Sequence, residues 1–139
     1  MIVLDTNVVS EIARKEPNPA VIKWLASQQQ AELYLTSISV MEIYFGAFSL
    51  PTGKRRTSLE SKIGLQVSEF FADRILSFDL ESSRICADLM AKGKARTPFA
   101  KMPDYQIAAI AIRGGHAVAT RNIKDFRHEG LTIINPWTD

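Results

Sequence analysis

The chain has almost nothing that staples or anchors a protein. It holds one cysteine, Cys86, in 139 residues. A single thiol forms no internal disulfide and builds no thiolate metal site. Within Ile85-Cys86-Ala87-Asp88-Leu89-Met90 it reads as a small apolar residue packed in a reducing, cytoplasmic compartment. No apolar run approaches the roughly 20 residues of a membrane span. No secretory leader is expected, because Asp5 and Glu11 interrupt the N-terminal apolar stretch. There is no P-loop, no G-x-G-x-x-G and no G-x-S-x-G, so the usual phosphate loops and the serine nucleophile elbow have no signature here. The two histidines, His116 and His128, are not spaced to share a helix face. His116 follows a glycine pair and reads as a surface loop residue.

What is present is an ordinary globular composition. Hydrophobic residues make up 46% and charged residues 23%, enough apolar material for a core without disulfides or metal staples. The length suits a single domain over 1–139, since typical domains run to roughly 100–150 residues. The net charge of +2 says little, but its distribution says more. Lys54-Arg55-Arg56 form a triplet, and Lys92, Lys94, Arg96 and Lys101 crowd a second stretch. Such clusters suit a polyanion. They also suit solvated loops that only aid solubility.

Strand and helix signals alternate along the chain. Ile2 to Leu4 reads as a strand and Asn7 to about Arg14 as a helix. Pro17-Asn18-Pro19 breaks that helix and starts another, marked by Val21, Trp24 and Leu25. A strand follows at Leu33 to Thr36, then a helix from about Val40 through Phe48. Pro51-Thr52-Gly53 is a break. An amphipathic helix is expected from about Ser58 to Ala72, with Leu59, Ile63, Val67 and Phe70 on one side. Ile75 to Phe78 is a third strand and Glu81 to Lys92 a helix. After a loop at Arg96-Thr97-Pro98, Pro103 opens a helix that Gly114-Gly115 closes. Ala117 to Thr120 and Leu131 to Ile134 complete the strands. The pattern predicts an α/β fold with a parallel, mostly buried sheet and helices on both faces. No repeat, low-complexity tract or linker interrupts it.

Four acidic residues fall at element junctions. Asp5 follows the first strand. Glu42 lies in the first turn after the second. Asp104 lies just inside the helix opened by Pro103, and Asp125 lies past the strand from Ala117. In a parallel sheet all four converge on the carboxyl edge, where α/β folds bind ligands. Like charges held close together either shift their pKa values upward or take up a cation. Oxygen donors without a His/Cys set favour magnesium or manganese over zinc. Carboxylates holding such ions commonly serve phosphodiester hydrolysis. Each residue also has a purely structural reading. Glu42 can close a capping box with Ser39, Asp104 can favour the positive end of its helix, and Asp125 can simply sit in a polar loop. Asp5 is harder to explain this way, because an unpartnered charge beside a central strand costs several kcal/mol.

These residues, in this order, resemble the PIN-domain family of metal-dependent nucleases. Leu4-Asp5-Thr6-Asn7-Val8 looks like its opening motif and Val40-Met41-Glu42 its second acidic position. Met102-Pro103-Asp104-Tyr105-Gln106-Ile107-Ala108-Ala109 resembles the third, and Ala119-Thr120-Arg121-Asn122-Ile123-Lys124-Asp125-Phe126 the fourth. Asn135-Pro136-Trp137 is similar to a common ending. Each motif is short, but their joint order spans almost the whole chain. Size and ending are similar to the VapC toxins of bacterial toxin–antitoxin pairs, including the FitB branch.

The resemblance implies a three-layer α/β/α sandwich and an endoribonuclease that uses Mg2+ or Mn2+. It implies a cognate antitoxin, a homodimer and higher-order toxin–antitoxin assembly. Asp5 and Asp104 would bind the principal ion, and Glu42 would complete the site. Some relatives carry aspartate where this chain has Asn122, so either Asn122 or Asp125 fills the fourth position. Thr6 and Thr120 would steady the carboxylates, and Lys54, Arg55 and Arg56 would meet RNA phosphates. The apolar stripes Val9, Ile12 and Trp24, and Ile43, Phe45 and Phe48, are either partner grooves, a dimer face or ordinary core. The principal rival is a non-catalytic RNA-binding or interaction module on the same fold. An aspartyl-phosphate protein fits poorly. A phosphatase of haloacid-dehalogenase type needs aspartate where Asn7 stands, and a receiver domain needs an acidic pair at the first strand.

Overall fold

A computed structural model describes residues 1–93 and 97–139 of the chain. Lys94 and Arg96, counted above in the second basic stretch, and the start of the loop at Arg96-Thr97-Pro98 lie outside the described residues.

Side-chain alternation along short aliphatic strands sets the architecture. In β1 (Ile2–Leu4), Val3 points to one face and Leu4 to the other. Val3 joins a core with Ile38, Ile107, Ala108, Ile110, Ala111, Val118 and Phe126. Leu4 joins a second core with Val8, Val9, Val21, Leu33, Leu35, Phe71 and Ala119. Both are at most 1% exposed, so the strand is covered on both sides, as parallel sheets require. The other strands are β2 (Leu33–Thr36), β3 (Ile75–Leu76), β4 (Ala117–Ala119) and β5 (Ile133–Ile134). All pair in parallel, in the order β3-β2-β1-β4-β5. The helices are α1 (Thr6–Ile12), α2 (Pro19–Ser27), α3 (Ser37–Phe48), α4 (Lys54–Leu65), α5 (Leu80–Lys92) and α6 (Met102–Gly114). The result is a three-layer α/β/α sandwich with a parallel central sheet.

The strand order places the site. The chain moves outward from β1 to β2 and β3, then returns to the other side of β1 with β4 and β5. Connections therefore diverge between β1 and β4, and an open α/β sheet has its crevice at such a switch, outside the carboxyl ends of the strands.

Several local expectations need correction. The helix expected from Ser58 begins at Lys54, so the basic triplet forms its first turn rather than a loop. Its far end loosens into a π turn, Gln66–Phe70, and stops before Ala72, whose φ of +34° is incompatible with a continuing helix. His116 is buried, not a surface residue. It stacks on Tyr34 with ring centroids 5.5 Å apart. The glycine pair makes this possible. Gly115 takes a left-handed φ of 67° to close α6. A Cβ on Gly114 would lie 2.3 Å from the His116 Nε2, so the imidazole occupies the space that glycine leaves. Cys86 is buried and free, and burial pushes its thiol pKa up, in keeping with a packing role.

Candidate active site

Asp5 follows β1 and caps α1. Its N–H donates to the Ala119 carbonyl at 3.0 Å, which extends the β1–β4 ladder up to the switch point. One carboxylate oxygen, Oδ1, accepts the Thr6 N–H at 2.7 Å. The other, Oδ2, accepts from Asn7 Nδ2 and from Thr120 Oγ1, both at 2.8 Å. Asp5 is 3% exposed. Burial raises its pKa above the ordinary carboxylate value. The hydrogen bonds from Thr120, Thr6 and Asn7 oppose that rise, and the charge of Glu42 adds to it.

Glu42 is not the end of a capping box. Thr36, the last residue of β2, is extended and its hydroxyl accepts the Ser39 N–H at 3.0 Å, so α3 starts at Ser37 and Glu42 falls in its second turn. Its carboxylate turns instead toward α1 and accepts from Thr6 Oγ1 at 2.7 Å. Thr6 thus links the two acids, its N–H on Asp5 and its hydroxyl on Glu42.

Asp104 lies in the first turn of α6 and is half-buried. Its pKa is pushed up to about 7, first by burial and then by repulsion from Asp5, Asp125 and Glu42, while the Lys101 charge pulls it down. The four acids therefore share one electrostatic neighbourhood although they come from four separate elements. Asp125 sits in a 3-10 turn, Ile123–Phe126, beyond β4. Its carboxylate is ion-paired with Lys101. Asn122 is exposed, and its backbone N–H donates to Thr120 Oγ1 at 2.9 Å. Of the two fourth-position candidates, Asp125 is the one whose charge reaches Asp104.

In the sequence Asn7 stands out only as part of a motif, yet it is a hinge of the site. Its Nδ2 spans Asp5 and, at 3.2 Å, Thr120, while its Oδ1 accepts the Arg121 N–H at 3.4 Å. The signal that could have found it is an amide two residues after a capping aspartate, where it faces back toward the cap.

All the clustered donors are oxygens. Among the described residues no group of three or more His, Cys, Asp or Glu forms a ready-made metal cage. The pKa values of Asp5 and Asp104 are raised first by burial and then by the neighbouring carboxylates, a rise that a proton or a cation at the site would relieve. The oxygen donor set fits a hard divalent ion such as Mg2+ or Mn2+.

The basic triplet divides. Lys54 and Arg55 are exposed, whereas Arg56 is ion-paired with Glu60 at 2.8 Å and lies over the Phe48 ring at 5.3 Å. A groove of about 740 Å³ runs between α1, α3 and α4, with Thr6, Glu42, Arg55 and Lys62 among its walls. The apolar stripes divide as well. Val9 is core, and Ile12, Trp24 and Ile43 pack against it. Phe45 and Phe48 remain exposed at 72% and 53%.

Comparison with known proteins adds to this geometry. The family described as PIN domain matches residues 2–128. A VapC ribonuclease of Sinorhizobium fredii is 46% identical, covering 99% of this chain and 98% of its own. The toxin FitB of Neisseria gonorrhoeae is 36% identical, covering 100% of both chains. A solved structure of FitAB bound to an IR36 DNA fragment superposes with a TM-score of 0.86 at 34% identity, covering 99% of this chain and 96% of that one.

Proposed function

This chain belongs to the PIN domain family, and from that premise we propose that it is a divalent-metal-dependent endoribonuclease, the toxin of a VapC-type toxin–antitoxin pair. The observation that carries the reading is the convergence of Asp5, Glu42, Asp104 and Asp125 at the switch point, with the Asp104 pKa pushed up to about 7 by burial and by its neighbours. The relatives' similarity along the whole chain supports the same reading.

Asp5 and Asp104 are the proposed ligands of Mg2+ or Mn2+, with Glu42 completing the site. When bound, the ion supplies Lewis-acid charge for the phosphoryl oxygens and activates water for attack. The protein's own residues do the positioning. Thr120, Asn7 and the Thr6 N–H fix the orientation of the Asp5 carboxylate. Thr6 holds Glu42 at the correct side of α1. Asp125 is the better placed candidate to orient the attacking water, and Asn122 the lesser. Lys54 and Arg55 are exposed and available to meet phosphates. Arg56 contributes to α3–α4 packing first and to RNA second.

The proposed partners are a cognate antitoxin and a second copy of the chain, within a larger toxin–antitoxin assembly. The groove between α1, α3 and α4, which Glu42 lines, is the proposed seat of the antitoxin. We read residues 1–139 as one PIN domain working in the cytoplasm, where its RNA is. Among the described residues no helix is long and apolar enough to cross a membrane.

The test is cleavage of a mixed RNA pool by partner-free protein in magnesium, in manganese and in chelator, beside Asp5→Asn. Metal-dependent cutting that disappears in the variant supports the nuclease. Absence of cutting by folded protein overturns it in favour of a non-catalytic RNA-binding module.

A further inference from the structure

The protein supplies its own cation to the acidic site. Lys101 ends the 3-10 turn Pro98–Lys101 that leads into α6, and its ammonium pairs with the Asp125 carboxylate. Its charge also reaches Asp104, where it opposes the repulsion from Asp5, Asp125 and Glu42. One ammonium thus serves two carboxylates brought together from α6 and from the turn after β4. The two partners are unequally exposed. The Asp125 side chain is 14% exposed and the Lys101 side chain 47%. The carboxylate is set in the wall, and the lysine reaches it from the solvent side on a flexible stem. It also has space to withdraw into. Lys101 lines an open groove of about 840 Å³ that Lys124 and Arg127 share.

An ammonium is a compact point charge with three donors, and here it is paired with Asp125 while its charge reaches Asp104, one of the two proposed ligands of the ion. A divalent ion held at Asp104 would repel that ammonium. On the reading of this site as a metal centre, we propose that Lys101 is a tethered counter-ion: it holds Asp125 while no divalent ion is bound, is displaced when one binds, and so sets the ion concentration at which the site loads. A lysine that merely fastened the turn would behave differently, because its removal would loosen the turn without favouring the ion.

The experiment is a titration of Mn2+ into RNA-free, metal-stripped protein, with free Mn2+ followed by electron paramagnetic resonance. Lys101→Gln and Lys101→Met are expected to tighten binding by roughly threefold to tenfold, the scale of one unit charge removed from a partly solvated pair. Lys101→Arg keeps the charge and is expected to bind like the unaltered protein. Lys124→Gln removes a charge from the same groove, where Lys124 has no ion-pair partner among the described residues, and is expected to change less. In an Asp125→Asn background the ammonium has lost its tether, and the Lys101 substitution is expected to have a smaller effect. Unchanged or weaker binding in both neutral variants, equal tightening by Lys124→Gln, or tightening that is undiminished without Asp125 would each overturn the proposal. If the unaltered protein binds no Mn2+ saturably, the metal-site reading falls and this one with it. If it binds and the Lys101 variants do not differ, only this one falls.

Discussion

The site holds its carboxylates in two different ways. Asp5 and Glu42, on the β1–α1–α3 side, are held by neutral donors: the Thr6 N–H and hydroxyl, Asn7 and Thr120. Asp104 and Asp125, on the α6–β4 side, are held by charge. Asp104 makes no side-chain hydrogen bond among the described residues, and Asp125 leans on Lys101. Neutral hydrogen bonds fix direction and change little with salt or pH. Charge balance fixes no direction and changes with both. One half of the site is therefore set in advance, and the other half waits for whichever cation is present.

The largest test of that contrast lies in the pre-set half. Asp5→Asn keeps the shape and removes the charge. Cleavage is expected to fall by on the order of a thousandfold, since several kcal/mol of charge stabilisation go with the ligand. Near-UV circular dichroism should remain unchanged. Substantial cleavage by a preparation free of contaminating nuclease would remove Asp5 from the site.

Next in size is the charge-held half. Asp104 has a folded-state pKa of about 7 against 3.8 for the free side chain. Its protonated form binds its proton more tightly in the fold. It therefore contributes stability that is full below about pH 3.8 and is lost as pH rises through about 7. Glu11, Asp79 and Glu81, whose pKa values are lowered by hydrogen bonds, act in the opposite direction at acid pH. The difference between melts of unaltered protein and Asp104→Asn, both in chelator, isolates the Asp104 contribution. Asp104→Asn is expected to match the unaltered protein near pH 4 and to become progressively more stable than it as pH rises to about 7, with little further change above that. A flat difference would mean that neither burial nor its neighbours raise the Asp104 pKa. With divalent ion limiting, cleavage should rise over the same range, because the ion competes with that proton.

Thr120→Val comes third. It removes one donor to Asp5 and the acceptor of the Asn122 N–H while keeping the volume. A partner that orients a ligand is typically worth about 10- to 100-fold in metal affinity or activity. A loss seen equally at every pH would mark this half as the pH-insensitive one. The smallest effect belongs to the basic helix. Replacing Lys54 and Arg55 by Ala should lower the salt dependence of single-stranded RNA binding, by roughly 0.7 in the log–log slope for each phosphate no longer neutralised. Replacing Arg56 should instead lower the melting temperature, because it is occupied by Glu60 and Phe48.

The same contrast explains what is legible in the sequence. The parallel sheet is readable because Ile2-Val3-Leu4 and Ala117-Val118-Ala119 are unbroken apolar runs between helices, and such runs need cover on both faces. Convergence of the four acids then follows from topology alone. The capping of α3 is not readable, because Ser39-Val40-Met41-Glu42 satisfies the capping-box pattern while Thr36, the residue just before the helix, takes that task. His116 misleads because a glycine pair normally announces a turn, and here one of its members makes room for an imidazole. Lys101 reads as one more surface charge. Its partner Asp125 lies 24 positions away, beyond the reach of any local pattern. Asn7 is visible as a letter in a motif, but its bond to Thr120 joins residues 113 positions apart.

That last kind of distance has a consequence during synthesis. β1, at the centre of the sheet, needs β4 on one side, and Asp5 needs the Thr120 hydroxyl 115 positions later. As the chain leaves the ribosome, Asp5 emerges early and waits beside an open strand edge. Asp104, Thr120 and Asp125 all follow late. For the ribonuclease proposed above, the cutting site cannot close until most of the chain has emerged, so the nascent toxin stays harmless to the message and the ribosome still making it. The strand order acts as a delay between the appearance of Asp5 and the completion of the site.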